Sequence, residues 1–215
     1  MTVSLCTQFD SLLRCIRESG VVARPPKKGV PFDLNNPEHV AYLRERFYKG
    51  RNPTHPSEPK TLTDQAYLDV MVYYYERKES REDIEKIHKI AMASENIVGD
   101  ILERYIANEL EPHGWVWASG AVLQAVDFVY PLGNGQWGLL QIKNRDNSEN
   151  SSSQKVRNGT TIKKWFRSYS TRKKSRVSDT NWENFPDLPK NAVLNENEFL
   201  TFLVEYLQTL KGRSY

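Results

Sequence analysis

The sequence predicts an α/β protein of the α+β kind: a sheet flanked by helices, with a mainly helical N-terminal region. Three observations predict it. Two apolar, β-rich stretches, Val126–Tyr130 and Gly138–Arg145, are separated by Pro131-Leu132-Gly133-Asn134-Gly135, whose turn chemistry makes a hairpin. Apolar residues recur at helical spacing before and after that hairpin, over 5–18, 95–109 and 195–211. The chain of 215 residues, with 39% hydrophobic and 27% charged content, has enough apolar material for one core.

In chain order, Leu5, Phe9, Leu12, Leu13 and Ile16 form the apolar stripe of a first helix, stopped by Gly20. Arg24-Pro25-Pro26-Lys27-Lys28-Gly29 reads as a loop, and Pro37 starts a helix running to Phe47. Three prolines between Asn52 and Pro59 make an irregular connector. Thr63 or Asp64 caps a helix through Tyr67, Leu68, Met71, Val72 and Tyr75, with Tyr73, Tyr74 and Tyr75 read as core or subunit contact. Ser80 with Asp83 forms a capping box for a helix to Ala91. Ser94 caps or continues it, and Glu95–Glu109 forms the next helical stretch, ended by Pro112 and Gly114. Trp115–Ala118 reads as a short strand, Val122–Tyr130 as a longer one, and Gln136–Arg145 as its partner. After a polar loop, nine cations lie between Lys155 and Arg176 with no acid before Asp179. Asn195 and Glu198 form a capping box for the last helix, which Gly212 ends. The organisation expected is one domain over 1–215: a helical part over 1–92, a core over 93–176 and a C-terminal helix within 177–215.

Several function classes are excluded. No run of eighteen apolar residues spans a membrane, and Met1–Cys6 lacks a signal peptide's basic start and apolar block. Two cysteines, Cys6 and Cys15, without a CxxC, argue against a zinc site or a disulfide scaffold. His39, His55, His88 and His113 are scattered and read as structural or surface residues. A cytoplasmic protein is expected. The net charge of +3 identifies no partner by itself.

The chemistry concentrates in the hairpin. Asp127 lies on the first strand, while Gln141 and Lys143, two apart on the second, share a face. A carboxylate there suits Mg²⁺, a hard cation, and a neighbouring lysine suits a water or a phosphorane. The competing reading is a surface Lys–Asp pair. Glu95 falls at the edge of the stripe Ile97, Val98, Ile101, Leu102, Tyr105 and Ile106, within reach of an adjoining sheet. It could instead only interact with a helix start. Asp100, which projects away from the stripe, and Glu103, farther from it than Glu95, are the alternative acids. The basic run, interleaved with Trp165, Phe166 and Tyr169, suits a duplex. Asn144, Arg145, Asn147, Asn150, Lys155, Arg157 and Asn158 carry base-reading chemistry. Ser151, Ser152, Ser153, Lys163, Lys164 and Arg167 complete the expected DNA-contacting set.

Glu95 on a helix, Asp127 on a strand and Gln141-Ile142-Lys143 on the next resemble the PD-(D/E)xK nuclease core, a mixed four- or five-stranded sheet flanked by helices. Val126 stands in place of the motif's proline, and Gln141 in place of its second acid, as in the QxK form of Mrr-like nucleases. The run Leu140–Ser153 and then Val156–Arg167 is similar to type II restriction endonucleases of the SinI/AvaII kind, most strongly over Glu95–Arg167. That resemblance implies Mg²⁺ at Asp127, Gln141, Glu95 and the Ile142 carbonyl, cleavage of double-stranded DNA at GGWCC, and a 5′-phosphate product. A palindromic target demands two sites on a two-fold axis, so a homodimer is expected, with helices 63–78 and 195–211 as candidate interfaces or internal elements, and a DNA methyltransferase as genetic partner. A structure-specific or repair nuclease, and a regulatory DNA-binding protein, are the alternatives; a toxin-type RNase lacks a His/Glu/Arg grouping.

Overall fold

The computed structural model describes residues 4–60, 62–147, 151–173 and 176–212, with side chains from 154 onward in the helix that begins at Ser151. The chain divides into two compact units, Met1–Pro53 with Leu102–Tyr215, and Thr54–Ile101.

The first unit is built on a mixed four-stranded sheet in the order β1-β2-β3-β4, with β1 Val116–Trp117, β2 Phe128–Gly133, β3 Gln136–Arg145 and β4 Lys163–Ser168. The predicted hairpin is present, with a tighter turn than expected. Gly133 pairs with Gln136, so the loop is Asn134-Gly135. Both residues have positive φ (51° and 74°), the two-residue turn whose twist matches the strands. β4 runs parallel to β3, in register from Leu140↔Lys163 to Arg145↔Ser168. It is reached through the helix α5, Ser151–Arg157. The sequence showed this region as a charge run; it contains both a helix and a strand.

One face of the sheet presents Val116, Val129 and Leu139 to the core under α1 (Leu5–Ser19) and α2 (Pro37–Lys49), where Phe9, Leu12, Leu43 and Phe47 are buried. Both helices lie close to the expected 5–18 and 37–47 spans. Ser4 and Asn36 accept amide hydrogen bonds at the starts, and Gly20 ends α1 at φ 68°. The other face carries an aromatic layer. Trp115 stacks on Tyr130 at 3.7 Å, and Trp165 packs on Trp182 and Phe185. Tyr105 and Phe199 close this layer, Phe199 from α6 (Glu196–Leu210). Asn195 caps α6 by accepting from the Glu198 amide at 2.9 Å.

Arg51 ties these parts together. Its guanidinium forms two hydrogen bonds to Glu111 (2.7 and 3.1 Å) and one to the Trp117 carbonyl (3.0 Å), and it lies over the rings of Phe47 and Trp117. Both partners of the ion pair are mostly buried, at 12% and 16% exposed. Removing one leaves the other uncompensated, so Arg51→Ala is expected to lower stability by about 3 kcal/mol in urea unfolding.

In the second unit Asp64 caps the short helix α3, Gln65–Asp69, by accepting from the Ala66 amide, and a π-helical turn, Val70–Tyr74, follows. Tyr73, Tyr74 and Tyr75 are 77%, 77% and 61% exposed, so they are not core residues. Ser80 and Asp83 form the expected capping pair (Asp83 N–H to Ser80 Oγ, 3.1 Å). The helix α4 that follows is continuous from Arg81 to Leu110. Ser94 does not cap a break; its hydroxyl donates to the Ile90 carbonyl one turn back. Among the described residues no helix is long and apolar enough to cross a membrane.

Candidate active site

The predicted strand Val122–Tyr130 is broken ahead of its functional residue. Ala121 and Ala125 take positive φ, and the ladder begins only at Phe128. The segment before it pairs instead with the N-terminal part of the chain. Ala23 bridges Leu123, the Arg24 amide donates to Val122 and the Gln124 amide to Val22. Asp127 is therefore the first residue to rejoin the sheet. Its amide donates to the Leu140 carbonyl and its carbonyl accepts from Ala118, both at 2.8 Å. Its carboxylate Oδ2 accepts the Ile142 amide at 2.7 Å. The side chain thus occupies the ladder position that the departed strand no longer fills.

That hydrogen bond fixes Asp127 beside the Gln141-Ile142-Lys143 run. Burial lifts the Asp127 carboxyl from its ordinary 3.8 to about 6, while the Ile142 amide and the positive charges of Lys143 and Arg24 act in the opposite direction. Gln141 is only 3% exposed, and its Oε1 is a buried acceptor without a hydrogen-bond partner among the described residues. A buried amide oxygen left this way costs about 1–3 kcal/mol unless something else satisfies it. Lys143 is half-buried two residues on. By register, Lys164 stands beside Gln141 and Phe166 beside Lys143 on the same face.

A carboxylate held by one amide and an orphaned amide oxygen suit a hard cation that takes oxygen ligands. Among the described residues no three His, Cys, Asp or Glu side chains converge, here or elsewhere, so any ion here would rest on one carboxylate and neutral oxygens. The chain therefore fits Mg²⁺ with a donor set of low negative charge.

The helix acids separate. Glu95 is exposed on the part of α4 that belongs to the second unit. Glu103, in the first unit, accepts from Trp117 Nε1 at 2.9 Å. Of the expected DNA contacts, Arg145, Asn147, Lys155 and Asn158 are exposed around the end of β3 and along or just past α5, and Arg157 is half-buried. Asn150 lies outside the described residues, as do the side chains of Ser151, Ser152 and Ser153. Lys163 and Arg167 are not brought to this face. Lys163 pairs with Asp187, which also accepts the Tyr130 hydroxyl. Arg167 donates to Asn144 Oδ1 at 3.0 Å, pairs with Glu196 and lies over Phe199. Arg167 is thus engaged inside the fold, and Lys163 in a half-exposed pair. Sequence reasoning missed Arg24, whose charge acts on Asp127; its signal was the cation-rich, proline-stiffened loop it opens.

Over residues 2–209 the chain matches the family model described as SinI restriction endonuclease. It is 46% identical over 210 residues to the type II restriction enzyme SinI of Salmonella infantis, covering 96% of this chain and 89% of that one. It is 43% identical over 206 residues to the type II restriction enzyme Eco47I of Escherichia coli, covering 94% and 87%. The chain is a type II restriction enzyme, an endodeoxyribonuclease. Within that class it belongs to the SinI restriction endonuclease family, which bears out the resemblance read from its Gln-Ile-Lys and Asn/Ser-rich stretches.

Proposed function

We propose that this enzyme makes Mg²⁺-dependent double-strand breaks at GGWCC from a PD-(D/E)xK-type site formed by Asp127, Gln141 and Lys143. The observation that carries the reading is the Asp127 carboxylate gripped by the Ile142 amide, next to the partnerless buried oxygen of Gln141. The four-stranded mixed sheet, with a hairpin and a parallel neighbour, supports the fold assignment.

Asp127, Gln141 Oε1 and the Ile142 carbonyl would hold the ion. Bound there, Mg²⁺ supplies a Lewis acid for the phosphoryl group and lowers the pKa of water. Lys143 orients the attacking water with its ammonium group and offsets charge on the phosphorane. Attack in line breaks the P–O3′ bond, and the water oxygen stays on the 5′-phosphate. Arg145 and Arg157 read guanine, with Asn147, Asn158 and Lys155 alongside. Asn144, bonded to Arg167, orients that edge of the sheet. A two-fold-symmetric target asks for two sites, hence a homodimer. The exposed tyrosines 73–75, and Leu200 with Val204 on α6, are the surfaces available for one. Sedimentation of the full chain tests that state.

The test is a digest of a defined linear duplex bearing one GGWCC site, with Mg²⁺ or with EDTA, followed by sequencing of the ends. Site-specific 5′-phosphorylated products in Mg²⁺ alone are expected. Cutting at branched or mismatched sites only would remove the restriction reading.

The metal-binding part has a separate readout. Between pH 3.8 and 6 the folded chain holds the Asp127 proton more firmly than the unfolded chain does, so stability falls as pH rises through that window. Asp127→Asn removes the penalty and keeps an acceptor for the Ile142 amide. In EDTA it is expected to stabilise the protein at pH 7 by about 1–3 kcal/mol, with little effect near pH 4. Mg²⁺ should then raise the melting temperature of the native chain and not of Asp127→Asn. An equal Mg²⁺ shift in both would take Asp127 out of the metal site.

A further inference from the structure

A cleft of about 460 Å³ opens beside the segment that leads into Asp127. Its floor includes Gln124, one wall carries Arg24 and Lys28 of the N-terminal loop, and Val156 of α5 contributes to the lining. Tyr42 and Arg46 of α2 complete it, and no acidic side chain lines it. Arg46 is committed to structure, because its Nε and Nη2 donate to the Gly120 carbonyl and its Nη1 to the Tyr42 hydroxyl. Arg24 and Lys28 are different. Both are exposed, and neither has an ion pair or a side-chain hydrogen bond among the described residues.

Three features say what such a cleft takes. Its charge is positive throughout, so an anion fits. It borders the segment that leads into Asp127: residues 22–24 pair with 122–124, three residues ahead of Asp127, and the Arg24 charge acts on the Asp127 carboxyl. Val156 on its lining belongs to α5, the helix that also carries the exposed Lys155. A duplex carries its charge in linear form. The two prolines after Arg24 hold the loop stiff, which lowers the ordering cost of a backbone contact.

We propose that Arg24 and Lys28 grip the phosphodiester backbone of the DNA strand being cut, as a positioning clamp next to Asp127. The proposal rests on the nuclease reading above and extends the DNA-binding surface to the N-terminal loop. Phosphate contacts fix register and carry no sequence information, so the clamp acts alike on all duplexes.

The experiment compares the full-length Arg24→Gln/Lys28→Gln chain with the native one, both in a Lys143→Ala background so that the duplex stays intact in Mg²⁺. Binding of a GGWCC duplex and of a scrambled duplex is measured across a salt series. Each lost phosphate contact lowers the slope of log K against log salt by about 0.9. The double variant should therefore lose about 2 from the slope and at least about tenfold in affinity, equally on both duplexes. Arg24→Lys/Lys28→Arg should restore the slope. In the otherwise native background, KM should rise more than kcat falls. An unchanged slope, or a loss confined to the GGWCC duplex, overturns the clamp. Competition by millimolar inorganic phosphate alone, without the slope change, would make the cleft a free-anion site and also overturns it. If the otherwise native enzyme fails to cut GGWCC DNA while the slope change is still seen, the clamp stands and the specificity reading falls.

Discussion

Lys143→Ala is expected to slow cleavage of GGWCC DNA by about a thousandfold while leaving the fold and DNA binding largely intact. Lys143 is half-buried on β3, so its removal opens little space in the core. Its charge acts on Asp127, but the Ile142 amide still holds that carboxylate. The loss therefore falls on the step in which water attacks phosphorus. Asp127→Asn should slow cleavage to a similar extent for a different reason, since it removes the negative charge proposed to hold Mg²⁺. Single-turnover cleavage at saturating DNA separates the two: raising Mg²⁺ should recover part of the rate for Asp127→Asn and none for Lys143→Ala. Retained cutting by both variants would place the chemistry elsewhere in the chain.

The largest effect on stability is expected at Gly120. A Cβ on Gly120 would lie 2.1 Å from the Arg46 carbonyl oxygen, and the residue has φ +72°. A Cβ on Gly50 would lie 2.1 Å from the Gly120 amide nitrogen. The end of α2 and the turn at 119–120 thus meet backbone against backbone. Arg46 bonds to the Gly120 carbonyl, and the Ser119 hydroxyl donates to the Phe47 carbonyl at 2.7 Å. Neither backbone can give way as a flexible side chain would. Gly120→Ala and Gly50→Ala should each cost more than about 3 kcal/mol, read as a drop in the urea midpoint or as insoluble protein. Gly99→Ala is the contrast. It sits within α4 with nothing within 4 Å of an added Cβ and no positive φ, so a gain of about 0.5–1 kcal/mol is expected. Because the Gly120 turn leads into 121–127, Gly120→Ala should also reduce cleavage, with activity and stability falling together.

Much of this molecule could be read from local chemistry. Ser4, Asn36, Asp64, Ser80 and Asn195 each offer an oxygen to amides that a helix start leaves unpaired, and each helix start follows. Asn134-Gly135 tolerates positive φ at both positions, so the hairpin closes there. Where reading failed, a distant contact overrode a local preference. Ala121 and Ala125 look unremarkable in sequence, yet docking of the preceding turn on α2 and pairing with residues 22–24 force them out of the strand. β4 was hidden because its alternation is blurred by cations. Its buried Trp165 is explained only by the aromatic layer it joins.

The sequence by itself determined most helix starts, the hairpin, and the residue types Asp127, Gln141 and Lys143 from which the nuclease reading grew. These depend on chemistry within a few residues: caps, turn dihedrals and the twofold alternation of a strand. Only the tertiary structure decided that the Asp127 carboxylate takes the Ile142 amide, that Gln141 keeps an orphaned oxygen, and that the N-terminal loop opens its cleft beside them. Those arrangements join parts of the chain up to about a hundred residues apart, and no local preference encodes a contact whose free energy appears only when the partners have been buried together.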